Sequence, residues 1–166
     1  GLGDDQISGG AGNDYILAQT GNDVISTGTG TDEVIASLGD DVITIDGVGN
    51  KTIDGGTGTD SLTISVSGIS GLGDYTPTAN GDYTVLTDSS NNVIQFKNIE
   101  NLTVGSYAYT NDTSNDTFWN STEKALYMYD GGSTSSSSIT DLSGFSASAN
   151  LSVVGSGLAD NMNLNI

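Results

Sequence analysis

An aspartate recurs every nine residues through the first third of the chain: Asp5, Asp14, Asp23, Asp32 and Asp41, then Lys51 ten residues on and Asp60 nine beyond it. Two positions after each stands a large aliphatic residue: Ile7, Ile16, Ile25, Val34, Ile43, Ile53 and Leu62. A short fixed period decides architecture before local propensity does. Each unit is too small to bury its own apolar residue and must stack on its neighbours.

The two most regular units read Gly9-Gly10-Ala11-Gly12-Asn13-Asp14-Tyr15-Ile16-Leu17 and Gly55-Gly56-Thr57-Gly58-Thr59-Asp60-Ser61-Leu62-Thr63. This pattern resembles the RTX nonapeptide, G-G-x-G-x-D-x-U-x with U a large aliphatic residue, a repeat that binds Ca²⁺. Two units depart from it by placing Ala18-Gln19 and Ala36-Ser37 where the glycine pair belongs, and the unit around Lys51 carries a cation where the acid belongs.

The resemblance implies a right-handed parallel β-roll, a hand that also follows from strand chirality. The glycine-rich six residues turn the chain and the last three form a short strand. Two nonapeptides complete one coil, so loops 18 residues apart stack on one edge at roughly 4.8 Å. Asp5, Asp23, Asp41 and Asp60 then share one edge, and Asp14, Asp32 and Lys51 the other. Each gap between stacked loops is a candidate Ca²⁺ site. The expected ligands are Asp5, Asp14, Asp23, Asp32, Asp41 and Asp60, with backbone carbonyls near Gly1, Gly3, Gly10, Gly12, Gly21, Gly28, Gly30, Gly39, Gly56 and Gly58. Calcium takes about 6–8 oxygens at about 2.3–2.6 Å in a flexible shell, which carboxylates and carbonyls from two loops supply; about 3–5 ions are expected over residues 1–63. The Lys51 ammonium is expected to stand where a metal would otherwise sit, and Asp54 to displace the register nearby.

Composition narrows the function. Three Lys+Arg against 21 Asp+Glu give a formal charge of −18, which argues against nucleic-acid binding and against anionic membranes. The chain has no Cys and no His, so neither disulfides nor zinc-type ligation is available, and an all-oxygen hard cation is the metal the residues support. No Ser/His or Cys/His nucleophile can be assembled. Asp4-Asp5 and Asp40-Asp41 form carboxylate pairs, but ionised calcium ligands are poor proton donors, so the chain is read as non-enzymatic. It begins at Gly1 without Met or a leader-like apolar segment and contains no 18-residue apolar run, which reads as a soluble excerpt of a longer chain.

Beyond Val66 the period stops. Residues 1–66 are read as the roll, and residues 67–166 as a second β-rich region, a less regular β-solenoid or β-sandwich. Its strand segments lie within 83–104 and 149–166, with an irregular aromatic and Ser-rich stretch over 105–148. Lys97-Asn98-Ile99-Glu100-Asn101-Leu102 resembles the "IENL" segment that often follows such repeats in secreted RTX proteins. Residues 125–129 fit a strand or a helical turn, and Ser133 to Ser138 a loop. Tyr107 with Tyr109, Tyr127 with Tyr129, and Trp119 are read as core or subunit-contact residues, with a sugar-stacking platform as the alternative. Asn50, Asn101, Asn111, Asn115, Asn120 and Asn150 begin N-x-Ser/Thr sequons, which count as surface glycan sites only outside a bacterial source.

The resulting expectation is an all-β, calcium-dependent extracellular structural protein that self-associates in a surface layer, fibre or adhesin. The alternatives are a folding-and-secretion module of a type I-exported enzyme or toxin and a carbohydrate-binding module. The family resemblance implies export from a Gram-negative bacterium.

Overall fold

The computed structural model describes residues 1–112, 117–120, 125–129 and 150–154. The repeat region contributes seven strands: β1 (Gln6–Ser8), β2 (Tyr15–Thr20), β3 (Val24–Ser26), β4 (Asp32–Leu38), β5 (Val42–Ile45), β6 (Lys51–Thr57) and β7 (Ser61–Ile64). Even-numbered strands pair in parallel in one sheet and odd-numbered strands in the other. The chain therefore winds as a β-roll, crossing from sheet to sheet at every Gly/Asp turn.

Register follows the period. Ile16 stands beside Val34 and Val34 beside Ile53 in one sheet; Ile25 stands beside Ile43 and Ile43 beside Leu62 in the other. These residues point between the sheets, where Ile25, Val34, Ile43, Ile53 and Leu62 are buried, and Ile7 packs at the margin. The alanines that replace the first glycine of the pair, Ala18 and Ala36, are fully buried in the same core. Their partners Gln19 (φ 86°) and Ser37 (φ 90°) keep the left-handed conformation of the missing glycine, a strain that the flanking ladder bonds must hold in place.

Beyond β7 the chain makes an excursion through a short 3₁₀ turn (Leu72–Asp74) and an antiparallel hairpin of β8 (Tyr75–Asn80) and β9 (Tyr83–Asp88). It then re-enters the roll. Strand β10 (Val93–Lys97) pairs in parallel with β6, and β11 (Asn101–Val104) in parallel with β7. Leu102 takes the place beside Leu62 and is itself buried.

The expected irregular stretch holds three strands instead: β12 (Tyr107–Asp112), β13 (Thr117–Asn120) and β14 (Ala125–Tyr129), each antiparallel to the strand before it from β11 onward, with β15 (Asn150–Val154) parallel to β14. Aromatic residues mixed with Thr and Asn gave these short segments no clear period, and an existing sheet edge supplied the pairing that propensity alone does not. The strand alternative for residues 125–129 is the one realised; residues 133–138 and 162–166 lie outside the described residues. Tyr109 is buried and its hydroxyl accepts the Leu72 N–H at 3.1 Å, so the core reading of this residue holds and it is not available as a sugar platform.

Stacking at the turns is tight enough to require glycine. A Cβ at Gly39 would overlap the Gly21 carbonyl oxygen one coil away, and its φ of 136° is costly for any other residue. Gly68 also has a positive φ (89°) but nothing within 4 Å of a Cβ. Gly39→Ala is expected to destabilise the calcium-loaded protein by about 2–5 kcal/mol, strain plus overpacking, and Gly68→Ala by only about 1–2 kcal/mol. Urea melts of the two variants check this; equal losses would mean the carbonyl contact is not what demands glycine.

Candidate metal centre

The aspartates of the repeat form two stacks. On one edge the Asp5 N–H donates to Asp23 Oδ1 (2.8 Å), the Asp23 N–H to Asp41 Oδ1 (2.7 Å) and the Asp41 N–H to Asp60 Oδ1 (2.9 Å). On the other, the Asp14 N–H donates to Asp32 Oδ1 at 3.1 Å. One oxygen of Asp23, Asp32, Asp41 and Asp60 therefore belongs to the backbone ladder, and the second stands outside it.

That second oxygen is buried. Oδ2 of Asp14, Asp23, Asp32, Asp41 and Asp60 is inaccessible to solvent and accepts no hydrogen bond. Asp32 Oδ2 has the Lys51 ammonium 3.1 Å away; leaving a buried carboxylate oxygen unpaired costs several kcal/mol, so the other four require a cation, a proton or both. Burial pushes the Asp60 carboxyl up to about 6, with the Asp41 and Glu100 charges adding to it, and burial likewise raises Asp41. Asp5, at the outermost rung, has a side chain 41% exposed and is not among the buried set.

The remaining ligands must come from the backbone. Among the described residues no group of three or more acidic side chains converges on one point, so a metal here would be held by one or two carboxylates and several carbonyls. The turns present such carbonyls: those of Gly3, Gly12, Gly21 and Gly39 fill the space that a Cβ on the glycine one coil on would need, and the Gly10 and Gly28 carbonyls do the same at Gly28 and Gly47. The Gly1 and Gly10 carbonyls also accept the Thr20 and Thr29 N–H groups. At Gly9 the Asp14 Oδ2 and the Thr27 carbonyl oxygen lie 2.9 and 2.6 Å from where a Cβ would stand, a cradle open only because the residue is glycine. Carboxylate and carbonyl oxygens in a flexible shell are a calcium donor set and fit the ion.

One gap is filled by the protein itself. The Lys51 ammonium lies 3.1 Å from Asp32 Oδ2, both side chains fully buried, and donates to the Gly30 carbonyl at 2.7 Å and more weakly to the Val48 carbonyl at 3.4 Å. Gly30, expected as a metal carbonyl, thus serves a lysine. With no carboxylate at position 51, the Asp32 N–H turns to the Asn50 carbonyl. Lys51→Asp is expected to open this gap and add one bound Ca²⁺ to the stoichiometry measured by calorimetry; an unchanged count would show that Lys51 does not stand in for a metal. Asp54 does not enter the turn at all, because its carboxylate pairs with Lys97 at 3.1 Å and accepts from Asn98.

A further ladder escaped the reading of the sequence. The residue before each aspartate lends its side-chain oxygen to the next coil: Asn22 N–H to Asp4, Asp40 N–H to Asn22, Thr59 N–H to Asp40, and Thr31 N–H to Asn13, at 2.8–2.9 Å. The signal was present as the Asn/Asp at that position. Asp4 and Asp40 therefore help to hold the stack together.

Residues 1–25 and 9–43 match the family model of the RTX calcium-binding nonapeptide repeat, in four copies. No curated protein sequence matches the chain. Among solved structures the fold is similar to that of the extracellular lipase LipA from Serratia marcescens, with a TM-score of 0.50 at 16% identity, over 88% of this chain and 23% of that one. The chain thus spans about a quarter of the lipase, and at this identity the likeness speaks to the fold alone. Repeats of this family imply a calcium-binding, secreted protein. The stacked Gly/Asp turns that open this chain are RTX calcium-binding nonapeptide repeats.

Proposed function

We propose that this chain is a calcium-dependent extracellular structural segment, part of a surface layer, fibre or adhesin, with no catalytic role of its own. The observation that carries the calcium dependence is the set of buried, unpaired Oδ2 atoms on both edges of the roll. Extracellular calcium modules bind at about 10⁻⁴–10⁻³ M, so the segment stays loose in the cytosol and becomes rigid after export. Polar Thr/Ser/Asn strands, and acids committed to ladders instead of a pocket, favour a structural part over an enzyme. The coordination shell for the ion would be Asp14, Asp23, Asp41 and Asp60 with carbonyls of the facing turns.

The test is electron microscopy of the purified protein with and without chelator. Ordered sheets or filaments that dissolve when calcium is removed are the expected result; dispersed particles under both conditions would remove the assembly part of the reading. A second reading, a folding-and-secretion module of an exported enzyme, draws on the likeness to an extracellular lipase. Hydrolase motifs in the sequence preceding Gly1 would favour it, and further Thr/Gly-rich β repeats there would favour the structural role.

A further inference from the structure

The stack of carboxylates on the Asp5 edge does not end with the nonapeptides. The Asp60 N–H donates to Glu100 Oε2 at 2.7 Å, just as each earlier aspartate N–H donates to the carboxylate one coil on. The Asp60 carbonyl accepts the Asn101 N–H at 3.0 Å and the Glu100 N–H at 3.1 Å, while the Asp5, Asp23 and Asp41 carbonyls accept from Val24, Val42 and Ser61. Glu100 therefore occupies the repeat's acid position, and Leu102, two residues on, occupies its aliphatic position beside Leu62. In sequence Glu100 lies 40 residues from Asp60.

The gap below Glu100 has the features of a calcium cradle. Asp60 is fully buried and its Oδ2 has no partner. This oxygen lies 2.7 Å from where a Cβ of Gly55 would stand, and the Asn98 carbonyl oxygen crowds the same point. The arrangement parallels Gly9 with Asp14 Oδ2 and the Thr27 carbonyl, inside the segment that matches the family model. Asn98 holds φ at 54°, a left-handed turn in a position where the repeat uses glycine. Of the lysines among the described residues, Lys51 is bound to Asp32 and Lys97 to Asp54, so neither neutralises the Asp60–Glu100 pair.

We propose that Glu100, Asp60 and the Asn98 carbonyl hold a Ca²⁺ that lies outside the nonapeptide array and clamps the returning strand β11 onto the roll. The inference rests on calcium binding by the repeats and extends it: the ion ties the segment after the hairpin excursion to the stack, so calcium-dependent order reaches past residue 66.

Native mass spectrometry of the full chain at saturating Ca²⁺ tests it. Glu100→Gln is expected to hold one ion fewer than wild type, and Asp82→Asn, which removes an exposed acid in the turn between β8 and β9, to hold the full number. An unchanged count in Glu100→Gln, or the same loss in Asp82→Asn, would overturn the proposal. Should Glu100→Gln fail to fold, Glu100→Asp keeps the charge on a shorter arm. That variant is expected to bind the full number with one ion weakened about tenfold, and unchanged affinity for every ion would overturn the proposal. Wild-type protein that carries no calcium would instead remove the repeat reading itself, an outcome distinct from a loss confined to Glu100.

Discussion

Stripped of calcium at pH 7, the protein is expected to lose its β-type circular dichroism, and millimolar Ca²⁺ to restore it. The expected size of the effect follows from linkage. At calcium about tenfold above Kd, each ion bound to the folded state alone contributes about 1.4 kcal/mol. Four ions, within the about 3–5 expected for the repeats, would then make a combined difference of about 6 kcal/mol, as large as the whole stability of many small domains. Magnesium at the same concentration is expected to restore little, because it prefers a tighter octahedron and keeps its waters. The pH dependence of the metal-free protein has a definite sign. The Asp60 carboxyl sits at about 6 in the fold and near 3.8 when unfolded, so its contribution is fully present below the unfolded value and is lost as pH rises through about 6. Metal-free protein should accordingly regain β structure on acidification from pH 7 toward 4.5, while calcium-loaded protein loses affinity over the same range as protons compete for the carboxylate. Full β signal in the metal-free protein at pH 7 would sink the calcium-dependent reading.

Asp41→Asn is expected to act in opposite directions with and without calcium. The amide oxygen can still accept the Asp23 N–H, as Asp41 Oδ1 does at 2.7 Å, so the ladder survives. The buried charge between Asp23 and Asp60 disappears. In metal-free protein this removes like-charge repulsion and the cost of burying an ion, and the variant resists urea better than wild type. With calcium, both gaps that Asp41 borders lose a carboxylate ligand, and the calcium concentration at half-folding rises about tenfold, about 1.4 kcal/mol. Circular dichroism during a calcium titration, followed by urea melts in chelator, reads both signs. A variant weaker than wild type under both conditions would mean that Asp41 serves only as a ladder acceptor.

The period of nine residues was enough to determine the roll, because every stacked unit repeats one local solution. The aliphatic residue two after each aspartate had to be inside, the acids had to line up on alternate edges, and Lys51 had to meet Asp32. Each follows from counting residues along the chain. Local composition also pointed to short strands at 83–86, 93–96 and 102–104, inside β9, β10 and β11.

Tertiary structure alone decided what no count along the chain could reach. Glu100 joins the carboxylate stack across the hairpin excursion because β10 and β11 dock on β6 and β7, a contact set by matching sheet edges. Strands β12 to β14 extend the sheet from the edge that β11 leaves open. Which oxygen of each aspartate is tied to the ladder and which is left buried for a cation also depends on the coil above. Periodicity fixes neighbours at constant spacing, whereas long-range pairing is chosen by which exposed edge offers its hydrogen bonds, and that appears only once the chain has folded back on itself.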